Sequence, residues 1–160
     1  MGEYFVICNF DRKEALDPGV FGHGYKPGDL LHGALNQGVL HGLLHLLSLS
    51  GSIRGVHERM SDPLFGRWAG QRIALVDDYY HGPVADIIWE QEVHYLTVCN
   101  GQDGWIDISE HVVRAIGGTL ENCFELPRSV LHPDGTITAL PYPWGAFADP
   151  ADGGDFSASQ

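Results

Sequence analysis

The sequence predicts an α+β fold: a mainly antiparallel sheet packed on one long and one short helix. Three observations predict it. Short runs rich in β-branched and aromatic residues occur at EYFVICNF (3–10), QRIALV (71–76), SVLH and TITAL. A leucine-rich stretch from about residue 30 to Ser48 has the length of a helix, and WIDISEHVVRAIGG that of a shorter one. Pro133-Asp134-Gly135 separates the last two strands with turn chemistry that closes a hairpin.

Taken in order, EYFVICNF reads as a buried strand, and DRKEALDPG leaves it through a turn ending in Pro18-Gly19. GVFGHGYKPGD is too rich in glycine to be regular. Asp29 then stands as the N-cap of the long helix, which Gly51 closes. At about 100° per residue, leucines occur almost all round this helix, which marks it as covered on most sides. One stripe differs: Ala34, Gln37, Gly38, His41, His45 and Ser48 share it, with Gly42 nearby. Interior glycines each cost a helix up to about 1 kcal/mol, so a strand or a ligand is expected close to its backbone.

Residues 51–70 read as one long connection enriched in arginine, the kind of loop that is functional or mobile. QRIALV is a strand ending at Asp77-Asp78. VADIIWEQEVHYLTVCN (84–100) is ambiguous between strand and helix in its middle, while its ending suits a strand. In WIDISEHVVRAIGG, Asp107 or Ser109 caps the start of a short helix and Gly117-Gly118 its end. TLENCFEL reads as a further strand. The expected organisation is a single domain over 1–146 and a disordered acidic tail over 147–160.

Charge is the strongest bulk signal. The net charge is −12, and residues 77–127 carry ten acids against the single base Arg114, a net of −9. Such a stretch repels nucleic acid and anionic membranes and favours cationic partners. MGEYFVICNF lacks the basic region and long apolar segment of a secretory signal. His32, Asn36, Gln37, His41 and His45 make residues 30–49 a core helix and not a membrane span. Cys8, Cys99 and Cys123 are odd in number and widely spaced, as free thiols in a reducing cytoplasm would be.

Candidate chemistry is sparse. His41 and His45 lie one helical turn apart, so both rings can reach one atom. A zinc protease needs Glu directly after the first histidine, and Gly42 stands there. A third ligand would have to come from His23, His57, Asp77 or Asp78; the alternative, two histidines of an ordinary core helix, is the reading the sequence favours. Asp77-Asp78 at a strand end is a common way to hold Mg²⁺ and phosphate, but Tyr79, Tyr80 and His81 replace the small residues a phosphate loop requires. Gly-x-Ser-x-Gly and the phosphate-binding Gly-Lys-Ser/Thr loop are both missing from the sequence.

YFVICNFDRKEALDP and SDPLFGRWAGQRIALVDDY together resemble a group of small bacterial proteins with no assigned activity. That group shares an N-terminal strand with a Lys-Glu turn and a Trp-x-Gly-x-Arg strand ending in Asp-Tyr. The likeness covers about half the chain and weakens after residue 82; Gly70-Gln71-Arg72 stands here for the group's Gly-Asp-Arg. The resemblance implies one compact domain and carries over no catalytic residue.

Aromatics beside acids are what a site for a basic protein would use, through cation–π contacts and buried anchors. The first expectation is therefore a non-enzymatic, cytoplasmic, acidic binding protein, similar in manner to the immunity proteins that neutralise cationic toxins. Its contact set is Asp77, Asp78, Tyr79, Tyr80, Trp89, Glu90, Glu92, Trp105 and Asp107. No cofactor, nucleic acid or membrane enters that expectation. The rival is a hydrolase dependent on one divalent metal such as zinc, with His41 and His45 as ligands and Asp77 or Asp78 as further ligand or base.

Overall fold

The structure is a computed structural model and describes residues 4–22, 38–49, 62–78, 81–83, 92–118 and 128–140. In chain order its elements are β1 (Phe5–Asn9), β2 (Glu14–Leu16), a 3-10 turn (Pro18–Phe21), α1 (Val39–Leu47), β3 (Ile73–Asp77), β4 (His81–Pro83) and β5 (Glu92–His94). There follow α2 (Tyr95–Cys99), a second 3-10 turn (Gln102–Gly104), β6 (Ile106–Asp107), α3 (Ser109–Ala115), β7 (Ser129–Leu131) and β8 (Ile137–Ala139). The architecture is α+β. Its main sheet has the order β3-β1-β2-β6, while β4-β5 and β7-β8 form separate two-stranded ribbons.

β1 is the middle of this arrangement, and all five of its residues are buried. Alternate side chains point to opposite faces. Phe5 and Ile7 join Leu16 in the larger core cluster, with Leu46, Leu64, Trp68, Ile108 and Val112. Val6 and Cys8 join Ala15, Val76, Val98 and Trp105 in the smaller one. A strand covered on both faces reads as a continuous apolar run, which is what FVIC is. β1 pairs antiparallel with β3 (Phe5↔Asp77 to Asn9↔Ile73) and with β2 (Ile7↔Leu16 to Asn9↔Glu14). Between β1 and β2, Asn9 Oδ1 accepts from the backbone N–H groups of Asp11 and Arg12, both at 3.0 Å, which sets the turn.

The sheet is mixed: two of its three pairings are antiparallel, as the expected mainly antiparallel sheet requires, and one is parallel. β2 and β6 run parallel, with Glu14 opposite Ile106 and Ala15 opposite Asp107. Strands of three and two residues carry no periodicity that would announce them.

α1 begins later than the sequence implied. Gly38 is its N-cap, with φ −81° and ψ −175°, so the helix does not continue back through it. Glycine's cost in a helix interior accounts for the break at this position. Asp29, expected as the cap, lies outside the described residues with the rest of 23–37. Gly42 does lie within the helix, and its small size has a reason: a Cβ there would sit 2.7 Å from Val112 Cγ1 and 3.0 Å from Phe21 Cε1. The close neighbour is thus packed side chains of α3 and the 3-10 turn. Leu44 is 65% exposed, so α1 has an open side that the leucine pattern did not forecast.

Residues 62–70, expected as part of a long loop, and Gln71, expected to open a strand, are a compact series of turns. Phe65, Arg67, Ala69 and Gln71 each donate to the carbonyl three residues back. Leu64 and Trp68 are fully buried in the larger cluster. The backbone N–H groups of Gly66 and Trp68 donate to the carbonyls of His45 and Leu46 at 3.0 and 2.9 Å, satisfying two of the orphan acceptors at the end of α1. Leu64 and Trp68 anchor the segment in the core.

Residues 95–99, expected to end a strand, form α2. Val98 fills the smaller cluster from that helix, and tertiary packing overrides the strand preference of Thr97 and Val98. α3 appears where it was expected, and Asp107 Oδ1 accepts from the first helical N–H, that of Ser109, at 2.9 Å. At its far end Gly117 has φ +75°, its N–H donates to Arg114 O, and Gly118 N–H donates to Val113 O. This is the paired closure that a left-handed glycine permits. The β7–β8 hairpin also forms as expected, with Gly135 at φ +88°. The strand expected at TLENCFEL and the tail over 147–160 lie outside the described residues. Among the described residues no helix is long and apolar enough to cross a membrane.

Candidate functional site

The histidine pair of α1 divides. His41 is partly buried, and His45 is 5% exposed. His45 Nε2 lies 3.0 Å from Asp62 Oδ2, and its ring meets Phe65 edge-on with centroids 5.4 Å apart. Asp62 in turn accepts from Leu64 N–H at 2.9 Å. His45 Nε2 fastens α1 to the 62–71 segment. Among the described residues no three His, Cys, Asp or Glu side chains gather as a metal site.

The described members of the expected contact set fall on different elements. Asp77 closes β3 and Asp78 follows it. Asp78 Oδ1 accepts from Tyr4 N–H at 3.0 Å while its own N–H donates to Tyr4 O at 2.9 Å, so this acid also finishes the β1–β3 ladder. Glu92 opens β5. Tyr79, Tyr80, Trp89 and Glu90 lie outside the described residues.

Trp105 and Asp107 require correction. Trp105 is 4% exposed and packs edge-to-face on Phe10 with centroids 5.7 Å apart. Asp107 is buried beside Arg128. Neither offers a surface to a partner. A tryptophan beside an acid looks the same in sequence whether it is an anchor or core.

Two buried polar clusters went unnoticed in the sequence. In the first, the Glu14 carboxylate takes the Arg67 guanidinium at 2.6–3.0 Å and the Trp68 indole N–H at 2.7 Å. Arg67 Nη1 continues to Gly135 O at 2.8 Å. One ion pair thereby binds β2, the 62–71 turns and the tip of the β7–β8 hairpin.

The second cluster lies across the far side of β2. Arg128 Nη1 is 2.8 Å from Asp107 Oδ2 and 3.4 Å from Asp17 Oδ2. Asp17 Oδ1 accepts from Gly19 N–H at 2.9 Å and starts the first 3-10 turn, and Asp17 N–H donates to Ser109 Oγ at 2.7 Å. Burial, and then the neighbouring Asp107, push the Asp17 carboxyl up to about 6 against the pull of Arg128. Burial likewise lifts the Cys99 thiol to about 12 and Cys8 well above its ordinary value, so neither is a thiolate nucleophile.

Ser129, His111 and Asp107 meet here and invite comparison with a nucleophile, base and orienting acid. The protons rule that out. Ser129 Oγ donates to Asp107 O at 2.7 Å, and His111 Nε2 lies 2.9 Å from Ser129 Oγ and 3.2 Å from Ser129 O. A carbonyl only accepts, so Nε2 carries the proton and cannot withdraw one from the serine. Burial also lowers the His111 imidazole below its usual range, which keeps it neutral and donating. The arrangement clamps the hairpin to α3.

Compared with protein-family models, curated proteins and solved structures, the chain matches none.

Proposed function

We propose that the chain is a non-enzymatic acidic binding protein whose partner is a basic protein. The observation that carries the reading is the excess of acids over bases in residues 77–127, ten against one, beside arginines of the described residues that are paired with acids. Arg67 pairs with Glu14, Arg72 with Asp11, and Arg128 with Asp17 and Asp107. Arg114, the only base within 77–127, pairs with Glu110 on its own helix. Within that stretch Asp107 is met by Arg128, Glu110 by Arg114, and Lys13 reaches Asp103 O; the sequence excess of acids that remains favours a field that steers cationic partners.

The contact set narrows to Asp77, Asp78 and Glu92, together with Tyr79, Tyr80, Trp89 and Glu90. Trp105 and Asp107 act indirectly, by holding the framework. The metal-dependent hydrolase draws no support from His45, whose Nε2 is held by Asp62. The test is affinity capture with the full chain at low ionic strength, beside a variant carrying Asp77→Lys and Glu92→Lys. A basic protein retained by the wild type and lost by the variant supports the reading; equal retention by both refutes it.

A further inference from the structure

Asp17 and Asp107 are two buried carboxylates that share one guanidinium nitrogen. Asp107 holds the shorter contact, and the Asp17 side chain is left with an acid neighbour and a long reach to the cation. A buried site with two negative charges and one positive charge is improved by a proton. We propose that Asp17, Asp107 and Arg128 form a proton-taking joint: in mildly acidic solution Asp17 binds one proton, and the β7–β8 hairpin is held more firmly to the body of the protein.

The joint's location makes the consequence specific. Asp17 belongs to the turn after β2, Asp107 to β6, and Arg128 and Ser129 to the first residues of the hairpin. Ser129 Oγ donates to Asp107 O, so the hairpin's base attaches through the same residue that takes the guanidinium. Lifting the hairpin would remove the pull of Arg128, which lowers the Asp17 carboxyl, but would also let water reach both carboxylates; burial is the larger influence, so Asp17 returns toward the ordinary carboxylate range. The closed joint therefore binds the proton more tightly than the open one, and by linkage acid favours closure.

Among the described residues, the other titratable groups around the joint leave that window to Asp17. From α2 the Cys99 thiol, raised to about 12, is neutral throughout. From α3 His111 reaches Asp107 through Ser129, and burial keeps it neutral to a lower pH than usual. Glu110 and Arg114 form their own i,i+4 pair on the outer face of α3. The raised value of Asp17, about 6, places its uptake between pH 7 and 5.

The experiment is amide exchange of Val130 and Thr138, partners in the hairpin ladder, corrected for intrinsic rate at each pH. In the wild type their protection is expected to rise about tenfold between pH 7 and 5, the factor one proton supplies for this difference in affinity. In Asp17→Asn, which keeps the oxygen that accepts from Gly19 but not the charge, protection should not change. Protection that is flat in the wild type, or that rises equally in both, overturns the proposal. Should Asp17→Asn fail to fold, the carboxyl ¹³C shift of Asp17 in the native wild type decides it: a midpoint near 6 sustains the joint, and one in the ordinary carboxylate range ends it.

Discussion

The indole N–H of Trp68 donates to Glu14 Oε2 at 2.7 Å inside the core. Trp68 comes from a segment of turns and Glu14 from a three-residue strand, and neither element would hold its place alone. The bond also satisfies the indole N–H, which a fully buried tryptophan cannot leave unpaired without cost.

Glu14→Gln should therefore destabilise the fold by about 3 kcal/mol or more, because it leaves the Arg67 guanidinium buried without its counter-charge. Replacing both partners, Glu14→Gln with Arg67→Met, should cost clearly less than the sum of the single changes. Urea unfolding of the four proteins measures this directly. Additive losses would mean that the pair acts through something other than its charges.

Gly66→Ala should cost about 2 kcal/mol or more. Gly66 has φ +71°, where an L side chain is strained, and its added Cβ would lie 2.7 Å from Ser48 O, a backbone atom with little room to move. The loss should appear in thermal unfolding with the circular dichroism of the native state unchanged. Stability equal to the wild type would remove the account of how the turns cap α1.

Gly42→Ala has two opposing effects. Alanine favours the helix by about 1 kcal/mol, but its Cβ meets Val112 Cγ1 at 2.7 Å, and overpacking of this kind costs about 1–3 kcal/mol. The wild-type background should show a net loss. In a Val112→Ala background the obstruction is gone, and the same change should be neutral or favourable. A loss of equal size in both backgrounds would place the conflict elsewhere, against Phe21.

His111 and Asp17 should respond to acid in opposite senses. The His111 imidazole is held below its ordinary pKa, burial being the chief cause. Its contribution is present above that ordinary value and is lost as pH falls through the folded value. The Asp17 carboxyl is raised to about 6, so its contribution is present below the unfolded value and is lost as pH rises through 6. Relative to wild type, His111→Gln should gain stability as the solution is acidified, whereas Asp17→Asn should lose its relative advantage. Parallel pH profiles for both variants would contradict the assigned directions.

The legible parts of the fold were those whose signals are local. FVICN, IALVD and the Pro133-Asp134-Gly135 hairpin announce themselves within a few residues, as does the Gly117-Gly118 end of α3. The start of α1 was misplaced because leucine periodicity runs straight through Gly38, whose extended conformation breaks the helix. The 62–71 segment was misjudged because consecutive turns have no period, although Leu64 and Trp68 are spaced like core residues of a helix. The site suffered most. Asp17, Asp107 and Arg128 meet only through the tertiary fold, and the one local hint was Asp17 before Pro18-Gly19, a cap signal read merely as a turn.

Association rate against ionic strength tests the central claim most directly, using the partner captured by the full chain. Between roughly 0.05 and 0.5 M salt, screening shortens the reach of the net −9 stretch, and the rate should fall at least about tenfold while dissociation changes little. An association rate that is unchanged across that range would contradict a function built on the acidity of residues 77–127.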